Sequence, residues 1–82
     1  MLYRFNLIEG ANIVSDVEGL DLPDIVAARA YAIAAARSIM ADDVLCGALA
    51  LSHSIEIATE NGTRLMNVLF ADAVAIDRPS TI

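Results

Sequence analysis

The stretch DIVAARAYAIAAARSIMADDVLCG, residues 24–47, decides how this chain folds. Asp24 opens it as a helix N-cap, with Pro23 standing where the chain passes from extended to helical. From Ile25 to Cys46 there is no Pro and no Gly, β-branched residues are few, and Ala recurs throughout. Ala has the highest helix propensity, so this composition predicts one long helix. Gly47 closes it, because a left-handed C-terminal cap favours a residue without a Cβ. Asp42 and Asp43 oppose the helix dipole near that end and mark an alternative break, with Val44–Leu49 as a second short turn.

At about 100° per residue, Ile25, Ala32, Ile33, Ala36, Ile39 and Met40 share one broad apolar side. Tyr31, Ser38 and Asp42 lie opposite, and further alanines leave the polar face narrow. A helix apolar nearly all round predicts cover on more than one side, by a sheet and by a second copy. Arg29 projects from the middle of the apolar side. A guanidinium there needs a carboxylate, and Asp16 and Glu18 stand just upstream. This predicts a clip in which Arg29 holds the preceding loop onto the helix. The functional alternative is that Arg29, Asp16 and Glu18 face a ligand or partner, with Tyr31 as an aromatic anchor.

Outward from the helix, both flanks read as sheet. Tyr3, Phe5 and Leu7 alternate with Arg4 and Asn6, the period of a half-buried strand. Glu9-Gly10-Ala11-Asn12 supplies turn chemistry, and Ile13-Val14 forms a short return strand. Residues 15–24 are expected to form an ordered acidic loop. On the other flank Ile55 and Ile57 alternate with Ser54, Glu56 and Ala58, and Asn61-Gly62 marks a tight hairpin. Its second strand, Leu65–Phe70, is apolar on both faces and is expected to be central or interface-facing. Ala71–Ile76 either continues as a bent strand or turns away. The fold class is therefore α+β: an N-terminal strand or hairpin plus a C-terminal hairpin form a small antiparallel sheet against one long helix. One domain takes residues 1–78, and 79–82 are a frayed tail.

Composition limits the function. Five Lys or Arg (all Arg) against eleven Asp or Glu give a net charge of −6. Nucleic-acid readers and anionic-membrane binders need clustered cations, so neither partner is expected. The helix is interrupted by Arg29 and Arg37 before it reaches a spanning length. No signal-peptide pattern opens the sequence, and one Cys permits no internal disulfide, so a reduced, cytoplasmic protein is expected. The chain is 57% hydrophobic, and a domain this small hides only about 60–65% of its unfolded surface. Such an excess favours an apolar patch used for homo-oligomerisation, most simply a homodimer.

No constellation points to catalysis. Cys46 and His53 lack an orienting third group, and Cys46 sits at the helix end that does not lower a thiol pKa. Glu9, Asp16, Glu18, Asp21 and Asp24 form an acidic run without a base, yet their spacing is not that of an EF-hand. No cofactor is expected. The leading reading is a non-catalytic binding or regulatory module. The alternatives are an antitoxin-like inhibitor of a basic partner protein and a small metal-dependent enzyme using the acidic loop.

Tyr3–Gly10, Asp16–Asp24, Ala27–Ala32, Ile55-Glu56-Ile57, Asn61–Leu65 and Val68–Ala73, taken in order, resemble a family of short bacterial proteins known as a domain of unknown function. The resemblance spans residues 3–76 and implies no activity, substrate or catalytic residue. Asn6 stands where that pattern leads one to expect His, and Tyr31 where a charged residue is usual. At fold level only, the chain is also similar to antitoxin-type partial ribonuclease H folds. The clip makes one prediction: Arg29→Ala lowers the melting temperature.

Overall fold

The structure is a computed structural model that describes residues 1–80. Strand β1, Leu2–Glu9, turns at Gly10-Ala11 into β2, Asn12–Val14, and a loop leads to β3, Leu20–Asp21. Helix α1, Ile25–Leu45, follows, and the hairpin of β4, Ser54–Thr59, and β5, Arg64–Leu69, ends in a short 3-10 turn at Phe70–Asp72. The architecture is α+β, one helix against a five-stranded antiparallel sheet. The sheet runs β2-β1-β4-β5, and β3 takes the remaining part of the β1 edge. Thus Leu7 pairs with Val14 and Tyr3 with Leu20 along one side of β1, while its other side pairs with β4 from Tyr3↔Thr59 to Ile8↔Ser54.

The local signals act as expected at the helix. The Asp24 carboxylate accepts from the Ala27 N–H at 2.9 Å, and Gly47 adopts φ +86° just past the end. The helix passes through Asp42 and Asp43 without a break. No described helix is long and apolar enough to cross a membrane.

One feature of the sheet differs from the sequence reading, and two decide between alternatives it left open. Residues 15–24 hold a two-residue strand, β3, which no periodicity could reveal at that length. Gly19 makes it possible: its φ is +74°, and a Cβ there would stand 2.8 Å from the Tyr3 carbonyl oxygen. The chain is pressed against β1 where only Gly fits. Second, β5 is the edge strand and β4 the central one, so apolarity on both faces of β5 does not reflect a central position. Third, Ala71–Ile76 turns away through the 3-10 turn, with the Ala71 N–H donating to the Leu51 carbonyl. Of the tail expected at 79–82, Pro79 and Ser80 are exposed without regular structure, and 81–82 lie outside the described residues.

The core forms where α1 crosses β4, β5 and the 3-10 turn. Its helical side is Ala28, Ala32, Ala36 and Met40, each four residues from the last. Tyr3, Ile55, Ile57, Val68, Phe70 and Ala73 meet this row from the sheet side. A row of i, i+4 positions drifts about 40° per step around the helix, since four residues at 100° overshoot one turn. The buried direction therefore rotates along the helix instead of following one straight stripe. At the level of Arg29 it points away from the guanidinium, which is exposed.

Three alanines in that row let the helix backbone approach the sheet closely. Ala32→Leu is expected to cost about 1–3 kcal/mol through overpacking. Ala34→Leu, on the exposed side, should stay within about 0.5 kcal/mol of the parent. Chemical denaturation of both variants checks this.

Candidate functional site

The four residues singled out from sequence do not form one site. Asp16 and Tyr31 share a cleft of about 310 Å³ between α1 and the β1–β2 ribbon, lined also by Phe5, Leu7, Val14 and Ile39. The Tyr31 ring is 45% exposed and meets Phe5 at 4.6 Å between centroids, tilted by 57°. Tyr31 is thus a half-open wall of the cleft, held by aromatic contact. Glu18 is exposed and lies outside the cleft lining. Arg29 makes no ion pair with Asp16 or Glu18 among the described residues, so the expected clip does not form.

A different clip holds the loop. The Asp16 carboxylate accepts from the backbone N–H groups of Phe5 at 3.1 Å, Gly19 at 3.0 Å and Glu18 at 3.3 Å. The Phe5 N–H falls in the gap between β2 and β3, where β1 has no strand partner on that side. Asp16 fills this gap with a side-chain oxygen. Arg4 reaches the same loop from β1, its Nη1 donating to the carbonyls of Asp16 at 3.3 Å and Val17 at 3.4 Å. Partial burial pushes the Asp16 carboxyl up, but the Gly19, Phe5 and Glu18 N–H groups and the Arg4 charge outweigh it. The net effect holds its pKa below the ordinary carboxylate value.

From Asp16 a polar row runs across the face of the sheet opposite the helix. The Asp16 N–H donates to Asn6 Oδ1 at 2.9 Å, and Asn6 Nδ2 donates to Glu56 Oε1 at 3.2 Å. Arg64 Nε donates to Glu56 Oε2 at 2.8 Å. The row thus joins the acidic loop, β1, β4 and β5, with Asn6 at its middle. Glu56, Arg64 and Arg4 were not singled out from sequence, and Asn6 was noted only as a departure from the family pattern. Their signal was present: Asn6 and Glu56 are the polar positions of two alternating strands, and pairing those strands places them side by side.

The remaining carboxylates of the acidic run serve separate ends. Asp24 caps α1, Asp21 pairs with the terminal amine of Met1 at 2.8 Å, and Glu9 lies 3.9 Å from His53 Nδ1. His53 also sits edge-on to Phe70, with centroids 5.9 Å apart, while Cys46 is exposed beyond the helix end. Among the described residues, no three His, Cys, Asp or Glu side chains converge closely enough to hold a metal ion.

A strand ribbon closed by an Asp-Gly loop, a capped Ala-rich helix and a C-terminal hairpin define a compact α+β unit with a hydrogen-bonded polar face. The chain belongs to the family described as a domain of unknown function (DUF6894), which matches residues 2–71. The match ends inside the 3-10 turn and takes in every strand, the helix and the whole polar row. No curated protein and no solved structure matches the chain significantly.

Asp16→Asn leaves one acceptor oxygen where three N–H groups converge. It should cost about 1–3 kcal/mol at neutral pH. Because the folded pKa is lowered, this contribution is present above the ordinary aspartate value of about 3.9 and lost as pH falls through the folded value. Thermal melts of parent and variant should therefore converge in acid. Arg29→Ala, by contrast, should leave the melting temperature nearly unchanged.

Proposed function

We propose that this chain is a non-catalytic, homodimeric binding module that engages a protein partner through the C-terminal end of α1. The observation that carries this reading is an apolar groove of about 520 Å³ between that end of the helix and the segment after the 3-10 turn. Met40, Ala41, Val44, Leu45, Leu49 and Val74 line it. Leu45 is 86% exposed and adds a large apolar side chain to that surface. Arg37 braces one wall, its Nε donating to the Ala73 carbonyl at 2.6 Å. The wall is therefore tied in place rather than free to collapse, and a preformed apolar surface of this kind suits a partner side chain.

Asp42 and Asp43 lie on the same helical turns as the groove. Together with the net charge of −6 they favour a partner that joins apolar anchors to basic flanks. An inhibitor of a basic protein is one form this function takes. The exposed free thiol of Cys46 suits a reducing, cytoplasmic setting. Asp16 and Glu56 each spend their oxygens on internal hydrogen bonds, which supports a binding role over acid–base chemistry.

The test is comparative recovery of partners. The tagged parent chain should retain a protein from its native host that a Val44→Lys/Leu45→Lys variant, still folded by circular dichroism, does not. Identical recovery by both would refute the groove as the binding surface.

A further inference from the structure

We propose that Asn61 is a site of spontaneous covalent modification, converting through a cyclic imide to aspartate and isoaspartate, and that Thr59 guards it while the β4–β5 hairpin is closed. Asn61 and Gly62 are exposed at the hairpin tip. In this reaction the Gly62 amide nitrogen gives up its proton to solvent and attacks Asn61 Cγ. A C–N bond forms, the bond from Cγ to Nδ2 breaks, and ammonia leaves with a proton returned from solvent. Water, the only co-reactant, then opens the ring. Cleavage of the new Cγ–N bond leaves aspartate. Cleavage at the main-chain carbonyl leaves isoaspartate, with the backbone rerouted through Cβ.

Sequence selects this position. The attacking nitrogen must belong to a residue that does not crowd the closing ring, and only Gly lacks a Cβ. A Cβ placed on Gly62 would meet nothing within 4 Å, so no neighbour walls off the tip. The other three asparagines, Asn6, Asn12 and Asn67, precede Leu7, Ile13 and Val68, whose bulk hinders the same attack.

Both reacting groups are engaged by Thr59. The Gly62 N–H donates to the Thr59 carbonyl at 3.0 Å, which closes the turn over Glu60-Asn61 with Gly62 at φ +91°. The proton that must leave is thus held in a hydrogen bond. The Thr59 hydroxyl donates to Asn61 Oδ1 and accepts from the Thr63 N–H at 3.0 Å, so it fixes the carboxamide that must swing toward Gly62. Attack needs both groups freed and aligned. Thr59 itself is anchored: it ends β4, pairs with Tyr3 of β1, and donates its N–H to the Thr63 carbonyl at 2.8 Å. Beyond it the hairpin loosens. The pairing of β4 with β5 stops at Ala58↔Arg64, just past a register shift, and residues 60–65 are exposed. Such a tip opens without disturbing the core, and the reaction then follows the open fraction. The aspartate product keeps an oxygen for the Thr59 hydroxyl. Isoaspartate lengthens the loop backbone by a carbon, so the bond from Gly62 to Thr59 does not re-form and the tip stays open.

Timed incubation of the full chain in mildly alkaline buffer, followed by peptide mapping with mass spectrometry, tests the proposal. Unfolded in guanidinium chloride, the parent should convert at Asn61 to both products, and Asn61→Gln should not. The folded parent should convert roughly tenfold more slowly, because only the opened tip reacts. Thr59→Val keeps the side-chain shape without the hydroxyl. Folded by circular dichroism, it should convert several-fold faster than the parent, while Thr59→Ser, which restores the hydroxyl, should match the parent. An unfolded parent that does not convert at Asn61 would overturn the site. A folded parent that converts as fast as the unfolded chain would overturn the protection. A folded Thr59→Val that is no faster than the parent would overturn the role of Thr59. If that variant does not fold, the comparison of folded with unfolded parent decides.

Discussion

The row Ala28-Ala32-Ala36-Met40, seated on β4 and β5, is the contact on which the remaining structure depends. Three small side chains in succession let the helix lie close to the sheet, and the four-residue step makes the contact rotate along the helix axis. From that rotation several features follow. Arg29 is carried into solvent, Tyr31 is brought over Phe5, and Arg37 reaches the Ala73 carbonyl. In the last turns of the helix Val44 and Leu45 are left uncovered and line the groove.

The two faces of the sheet are specialised by the same alternation. One face, bearing Tyr3, Ile55, Ile57 and Val68, is closed by the helix. The other carries the row from Asp16 through Asn6 and Glu56 to Arg64, in which each carboxylate is satisfied by the protein itself. Antiparallel sheets commonly keep one face wet in this way. Here the wet face also has a mechanical role, because Asp16 bonds the β1 backbone at the one place between β2 and β3 where a strand partner is missing. Gly19 completes that loop with a conformation and a closeness that no other residue allows.

The apolar excess of the sequence is distributed accordingly. Part of it is core, but Leu45, Val44 and Leu49 line the groove and Leu65 and Leu69 mark the free edge. These surfaces differ in kind. The groove offers an apolar side-chain surface, whereas the edge offers backbone groups with no strand beyond them.

Residues alone determined much of this. Asp24 and Gly47 set the limits of the helix because capping is local chemistry, decided within a turn. The alternation of β1 and β4 and the Asn61-Gly62 turn specified an α+β sheet for the same reason. The short return strand at Ile13-Val14 was legible too, from the turn that precedes it. Tertiary structure decided what depends on relative position. A straight helical stripe placed Arg29 in the core, but the crossing of helix and sheet rotated the contact away from it. Apolarity on both faces of β5 could mean a central strand or a waiting edge, and only strand order separates the two. Asp16 and Glu18 were both expected to pair with Arg29; Asp16 does hold the loop, but with other partners. Its true partners are backbone N–H groups, which every residue carries and no sequence pattern marks.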